Sequence, residues 1–229
     1  MYDIVFISYN ELNAEENYAR LSKRFSVKRV MNVEGIHNAH IAAAKKCFTK
    51  MFWVVDGDAE VLDSFNFDYK VSEYDDECVH VWSSRNPINN LTYGYGGVKL
   101  LPRKLTLALD PTTVDMTTNI SKDFKAMPEV SNITAFNTDP FSAWRSAFRE
   151  CCKLAVINNE ESLARLYFWC QLNNHAPYGA YAYMGAITGR SYGEKNASDK
   201  EALAKINDFT WLEDRWLAEK SQLSLEHKQ

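Results

Sequence analysis

The sequence predicts an α/β protein, an open, mostly parallel sheet flanked by helices with a helical C-terminal part. Three observations carry that expectation. Continuous apolar runs of strand length recur three times in the first 55 residues, stretches with helical spacing separate them, and helical spacing dominates from Pro140 onward. Residues 3–8 open the chain as a strand, with Ile4, Val5, Phe6 and Ile7 too continuously apolar for a half-exposed edge and suited to the centre of a parallel sheet. A helix is expected over residues 14–24, where Glu15 and Glu16 sit in the first turn and Lys23 and Arg24 in the last, as the helix dipole favours. Tyr18, Leu21 and Phe25 form its apolar seam. Residues 27–33 make a second strand, and after Gly35 a second helix is expected over 38–50, with Ile41, Ala44, Cys47 and Phe48 on its buried side. Residues 51–55, Met-Phe-Trp-Val-Val, are a third buried strand that stops at Asp56-Gly57-Asp58.

This order places two polar tips, residues 8–11 and 56–58, at the carboxyl ends of parallel strands. Ligands of open α/β sheets bind there, so the tips are expected to converge on one crevice. Further on, 79–83 and 98–101 read as strands joined by a polar, Gly- and Tyr-rich loop, and 131–136 as another strand. A helix follows over 140–157, with Phe141, Trp144, Phe148, Cys151 and Ala155 at helical spacing, Pro140 at its first position and Thr138 or Asp139 as cap. Helices near 160–172 and 200–220 flank a Tyr/Gly-rich link over 175–193. No internal repeat or linker tract interrupts the chain, so a single domain over 1–229 is expected, with 1–100 as one half and 101–229 as the other.

With 46% apolar and 24% charged residues, nine Gly and six Pro, the composition excludes a disordered or fibrous chain. The longest uncharged apolar stretch, 51–55, is far short of the ~20 residues a membrane span needs. The opening run carries Asp3 and no basic leader, so no export signal is expected. Five cysteines with no C-x-x-C pair point to reduced thiols and a cytoplasmic location. Counting 26 Lys+Arg against 30 Asp+Glu gives 26 − 30 = −4, which argues against a dedicated nucleic-acid binder. Local clusters at Lys23, Arg24, Lys28 and Arg29, at Lys45 and Lys46, and at Arg103 and Lys104 suit either a brief visit to DNA or solvated faces.

Asp56-Gly57-Asp58 is the sharpest chemical signal. Two carboxylates separated by a glycine after a buried strand can present oxygens to a hard divalent cation, the glycine permitting the turn and the approach of a phosphate. An acidic turn with no ligand is the plain alternative. His37 and His40, three apart at a helix start, have a spacing that also suits a transition metal, but no second His/Cys pair accompanies them. No G-x-G-x-x-G or Walker loop is present, so a cation would have to balance any phosphate.

Taken as an ordered set, residues 4–11 (Ile-Val-Phe-Ile-Ser-Tyr-Asn-Glu), the Gly-led helix start at 35–40 and residues 52–59 (Phe-Trp-Val-Val-Asp-Gly-Asp-Ala) resemble the nucleotide-sugar half of GT-A glycosyltransferases. With residues 94–99 (Gly-Tyr-Gly-Gly-Val-Lys) and 132–141 (Asn-Ile-Thr-Ala-Phe-Asn-Thr-Asp-Pro-Phe), the likeness narrows to glycosyltransferase-like proteins of T4-like phages and extends over most of the chain. That group includes the enzymes that place arabinose on 5-hydroxymethylcytosine in phage DNA. The resemblance implies Ser8, Asn10 and Glu11 beside the nucleoside of a UDP-sugar, Asp56 on the ribose or a metal-bound water, and Asp58 on a Mn²⁺ or Mg²⁺ that bridges the diphosphate. It also implies His175 as a third metal ligand, against the plain reading of a surface-loop histidine. His37, with Asn38 and His40, stands where relatives often carry an Arg-Asn pair near the base.

An inverting transferase needs a group to take the acceptor hydroxyl's proton. Asp139 is the first candidate and Asp115 the second, although Asp before Pro at a helix start is equally a cap, and a retaining enzyme needs neither. In the segment 82–97, Trp82, Tyr93 and Tyr95 can stack on a base or sugar, Arg85 can meet a phosphate, and Gly96 and Gly97 let backbone approach the donor sugar. Lys99, Arg103 and Lys104 complete the expected acceptor contacts. Tyr178, Tyr181 and Tyr183 around Gly179 suit a lid or ordinary packing. Three functions follow: sugar transfer from a UDP-sugar to hydroxymethylated DNA, transfer to a glycan, lipid or protein, or nucleotide-sugar binding without catalysis.

Overall fold

The structure is a computed structural model that describes residues 1–94, 96–110, 116–173 and 175–226, with side chains described as far as residue 220. The chain forms two compact units, Met1–Asn86 with Thr92–Ala135, and Pro87–Leu91 with Phe136–Gln229.

The first unit is built on β1 (Asp3–Ser8), β2 (Val27–Met31), β3 (Met51–Asp56), β4 (Ala59–Val61), β5 (Val79–Arg85), β6 (Thr92–Tyr93), β7 (Val98–Pro102) and β8 (Phe124–Thr134). Its helices are α1 (Ala14–Ser22), α2 (Ile36–Lys46), α3 (Arg103–Leu107) and α4 (Met116–Ile120). Among the described residues the strands form one sheet in the order β2-β1-β3-β7-β5-β8-β4, with β6 beside β5. β1 pairs in parallel with β2 and β3, β7 enters antiparallel to both β3 and β5, and β8 again runs parallel to β5. β1, β2, β3, β5 and β8 therefore share one direction, as the alternating first half predicts.

The pleat sorts the apolar runs onto two faces. Ile4, Phe6, Met51, Trp53 and Val55 pack with Ala14 and Leu21 of α1, while Val5, Phe52 and Val54 pack with Ala43 and Ala44 of α2. All five residues from Met51 to Val55 are buried, each contributing roughly 1.5–3 kcal/mol on burial. That is why β3 can hold a charged turn at its end.

Three expectations are corrected here. The second helix ends at Lys46, because Cys47 is extended and Asp3 accepts hydrogen bonds from the N–H groups of Phe48 and Thr49, steering the chain into β3. Phe48 is therefore 87% exposed, with the Lys28 ammonium 4.6 Å above its ring. The strand expected at 131–136 begins at Phe124, its first seven residues forming a largely exposed stretch that pairs with β5 across an irregular register.

The second unit holds α5 (Pro140–Ile157), α6 (Glu160–Trp169), α7 (Gly179–Lys195), α8 (Lys200–Ala204), a 3-10 turn (Lys205–Asn207) and α9 (Phe209–Glu226). The bounds of α5 are those read from sequence. α7 replaces the expected Tyr/Gly-rich link, and Tyr178, Tyr181 and Tyr183 stand at its start rather than in a lid. Gly185, Gly189 and Gly193 recur every four residues, so they share one face. That face presses on the backbone of α5, where added Cβ atoms would collide with the carbonyls of Trp144, Phe148 and Cys152. Trp144 and Phe148 pack with Ile206, Leu212 and Trp216 in this unit's core. Among the described residues no helix is long and apolar enough to cross a membrane.

Candidate functional site

The backbone of the turn 56–58 is tied down by partners from three other segments of the chain. Asp56 N donates to Gly97 O (2.9 Å), the Asn17 amide of α1 donates to Gly57 O (2.9 Å), and Ala135 N donates to Asp58 O (2.8 Å). The β1 tip meets it. Glu11 accepts from Tyr9 N at 2.7 Å, and its carboxylate lies against Gly57, where an added Cβ would stand 2.6 Å from Oε2. The two polar tips thus converge. A side chain at position 57 would have to displace the Glu11 carboxylate. Gly97 is likewise closed over by a protein group, since its added Cβ would be 2.6 Å from Asn132 Nδ2.

The site's buried cation is Lys99. Its ammonium, on β7, donates to Asp56 Oδ1 (2.9 Å) and Oδ2 (2.8 Å) and to Gly96 O, in a turn where Gly96 holds φ +80°. Lys99 is 3% exposed. Burial raises the Asp56 carboxyl despite that ammonium. Asp58 is pushed up to about 7, first by burial, then by the charges of Asp56 and Glu11, with Lys99 opposing. The charges of Asp56 and Glu11 therefore both act on Asp58. Among the described residues no group of three or more His, Cys, Asp or Glu could hold a metal ion by itself.

The sequence-named residues have the following places. Ser8 is buried and its Oγ accepts from Arg29 at 3.2 Å, while Asn10 is exposed at the β1 tip. His37 lies in the first turn of α2. His40, on the same helix, is 1% exposed with Nδ1 2.7 Å from Ile36 O, and burial followed by the Lys99 charge lowers it to about 3. It is a neutral interior side chain. Arg85 is exposed at the end of β5. Asp115 and Tyr95 lie outside the described residues.

Several acceptor assignments are corrected. Trp82 is fully buried, its ring 4.5 Å from that of Trp53 and its Nε1 donating to Glu129 (3.2 Å), so it cannot stack on a ligand. Tyr93 is 7% exposed on β6 and has the same limit. Lys99 is committed to Asp56. Because β7 runs antiparallel to β3, Pro102 pairs with Met51, and Arg103 and Lys104 stand at the opposite end of the strand from Asp56. Arg103 Nε donates to Ala44 O at 3.0 Å.

In the second unit, Asp139 caps α5 by accepting from Ser142 N (3.0 Å). Burial would raise its carboxyl, but Ser142 and neighbouring N–H groups outweigh it and hold the acid below its ordinary value. The cap that the sequence offers as the alternative reading of Asp139 is therefore formed. His175 is exposed, its N–H bonded to Asn173 Oδ1 at 3.0 Å.

Two residues of the first unit's site were missed. Asn17 was read only as part of a helix, and nothing in its local pattern marks it as the anchor of Gly57. Asn132 is buried and accepts from Ser84 Oγ (2.8 Å) and Ser131 Oγ (2.9 Å) beneath Gly97; its signal was membership in the motif 132–141.

No protein-family model and no curated protein matches the chain. Among solved structures, it is similar to the mannosyltransferase PcManGT from Pyrobaculum calidifontis in complex with GDP-Man and Mn²⁺, at 14% identity and TM-score 0.45, covering 98% of this chain and 83% of that chain. HddC from Yersinia pseudotuberculosis is similar at 15% identity and TM-score 0.36, covering 56% of this chain and 90% of that chain.

Proposed function

We propose that the chain is a glycosyltransferase of the GT-A type that uses a nucleotide-sugar donor, a UDP-sugar by the sequence resemblance, and a divalent cation at Asp58. The observation that carries this reading is the convergence of Glu11, Asp56 and Asp58 at the carboxyl ends of β1 and β3, with the Asp58 carboxyl raised to about 7 by burial and then by the charges of Asp56 and Glu11. Surplus negative charge on oxygen donors fits Mn²⁺ or Mg²⁺ rather than a softer metal. Such ions commonly complete their shell with substrate phosphates, so a full protein cage is not required. When bound, the cation neutralises charge developing on a departing diphosphate. Asp58 would hold it, and Lys99 fixes Asp56 so that the turn keeps its shape without the ion. Ser8, Asn10, Glu11, His37, Gly96 and Gly97 are the proposed donor-side residues. Asp139, then Asp115, are the proposed candidate bases, needed only where the transfer inverts configuration.

For the acceptor, the motif set 94–99 and 132–141 supports 5-hydroxymethylcytosine in DNA, with arabinose as the sugar. A second reading, transfer to a glycan, lipid or protein, is favoured by the burial of Lys99 and by the position of Arg103 and Lys104 at the far end of β7. The test is incubation with a panel of nucleotide sugars, Mn²⁺, and hydroxymethylated DNA or glycan acceptors, followed by mass spectrometry. A sugar added to DNA supports the first reading and a sugar added to another acceptor the second. Donor binding without transfer to any acceptor leaves nucleotide-sugar binding alone. No calorimetric binding of any nucleotide sugar with Mn²⁺ overturns the donor site itself.

A further inference from the structure

Two asparagines one helical turn apart, Asn13 at the start of α1 and Asn17 within it, turn their amides away from the helix and onto distant backbone. Asn17 is 7% exposed and donates from Nδ2 to Gly57 O at 2.9 Å, while Asn13 Nδ2 donates to Ala135 O at 3.1 Å. Asn13 occupies the cap position, where an asparagine side chain ordinarily accepts from the first N–H groups of its own helix. It makes no such bond, and its buried Oδ1 has no partner among the described residues. The opposite amide orientation would set that oxygen against the Ala135 carbonyl, so the bond to Ala135 fixes the side chain and the cap is given up.

We propose that Asn13 and Asn17 are positioning residues that aim the Asp58 carboxylate from α1, an inference that rests on the reading of Asp58 as the holder of a divalent cation. The direction of a side chain is set by the two peptide planes that flank its Cα. The plane before Asp58 carries Gly57 O, which Asn17 holds, and the plane after it carries Asp58 O, which accepts from Ala135 N at 2.8 Å. Asn13 then takes hold of Ala135 at its carbonyl. Gly57 has no side chain to restrict it, so without Asn17 the first plane is the freer of the two to turn. The turn also faces a like charge, since the Glu11 carboxylate lies against Gly57. The helix that supplies both amides is fixed to the sheet, with Ala14 and Leu21 packed in one core with Phe6, Trp53 and Val55. Groups that orient a metal ligand without touching the ion are commonly worth about 10–100-fold in metal affinity.

The test compares Asn13→Ser and Asn17→Leu with the unaltered chain and with Asp58→Asn. Serine suits a helix start as well as asparagine does but lacks the amide that bonds to Ala135, so Asn13→Ser should keep its thermal midpoint within about 4 °C. Calorimetry with UDP and Mn²⁺ should show binding weakened about tenfold in Asn13→Ser and about 10–100-fold in Asn17→Leu. Hydrogen exchange in the metal-free chain supplies a readout independent of the ion: the Ala135 amide should exchange about tenfold faster in Asn13→Ser, while the amides of β3 keep their protection. Should Asn17→Leu fail to fold, Asn13→Ser carries the test. The proposal is overturned if these variants match the unaltered chain in Mn²⁺-dependent UDP affinity while Asp58→Asn loses it, or if Ala135 exchanges at an unchanged rate in Asn13→Ser. An affinity that falls only in step with the thermal midpoint overturns it as well. No Mn²⁺-dependent binding in the unaltered chain overturns the donor reading instead, and the exchange rates then decide the positioning by themselves.

Discussion

Lys99 and Asp58 divide the labour at the end of β3. The Lys99 ammonium is buried against Asp56, so replacing it by Met leaves a partly buried carboxylate without its cation, and breaking such a pair costs up to about 3–5 kcal/mol. Asp56 keeps some exposure, so Lys99→Met is expected to lower stability by about 2–3 kcal/mol in urea unfolding, with Asp56→Asn in the same chain restoring most of it. Asp58 has the opposite sign. Its carboxyl is crowded by like charges, so Asp58→Asn should leave the fold as stable or more so while cutting Mn²⁺-supported turnover by about two orders of magnitude. Calorimetry with UDP and Mn²⁺ checks the same variant, and unchanged affinity there would refute the metal assignment. A third residue sets the acid limit. Asp3 is held at about 2, below its usual 3.8, because the Lys28 ammonium and the N–H groups of Phe48 and Thr49 outweigh the effect of burial. Its folded-state value is depressed, so its contribution, on the order of 2 kcal/mol, is present above pH 4 and lost as pH falls toward 2. Asp3→Asn should flatten that part of the stability curve. The acidic turn was legible in sequence because it directly follows an apolar strand. Its cation was not, since Lys99 lies 43 residues away and reaches Asp56 only through the antiparallel entry of β7.

Among the elements, α7 shows how one composition supports two structures. Glycine and tyrosine between residues 175 and 193 suggest a link because glycine is a poor helix former, losing about 1 kcal/mol per residue relative to alanine. Yet Gly185, Gly189 and Gly193 are four apart, and the absent Cβ atoms let α7 lie backbone against backbone on α5. Tertiary contact outweighs propensity here. Gly189→Ala therefore gains about 1 kcal/mol of helix propensity but drives a Cβ into Phe148's backbone. A net loss of about 2–3 kcal/mol is expected, measurable as a fall in thermal midpoint. A stabilised Gly189→Ala variant would show that α7 does not pack on α5 as described. β1, β3 and α5 were readable from their own segments, because each satisfies its local rules there, whereas α1 was readable at its start but ends at Ser22, which leaves Lys23 and Arg24 beyond its last turn. β7 and β8 were readable only as strands. Their order in the sheet depends on pairings between distant segments, and that order is what sends Arg103 and Lys104 away from the carboxyl tips.

For the molecule as a whole, the question left to physics is whether a chain of net charge −4 can work on DNA. Binding to a duplex is driven by counterion release, with log K falling about 0.9 per neutralised phosphate for each tenfold rise in salt. Half of the cations that the sequence offers for this are engaged within the first unit, while Lys23, Lys45, Lys46, Arg85 and Lys104 are exposed. Arg24 donates to the carbonyls of Leu62, Asp63 and Phe65, Lys28 pairs with Asp3, Arg29 with Glu15, and Lys99 with Asp56. Lys104 is exposed, but at the end of β7 remote from Asp56. A dedicated binder making six to ten phosphate contacts loses about three to five decades of affinity between about 50 and 200 mM salt. This chain is expected to show a slope equivalent to about three phosphates or fewer on a hydroxymethylated duplex, followed by fluorescence anisotropy. Lys104→Glu should leave both that slope and the affinity for UDP with Mn²⁺ unchanged. A slope of about six or more would mean that a cationic surface not formed by these residues meets the duplex, and would decide for DNA as the acceptor. A slope near zero, with sugar transfer to a glycan, would decide against it while leaving Asp58 and the donor site where they are.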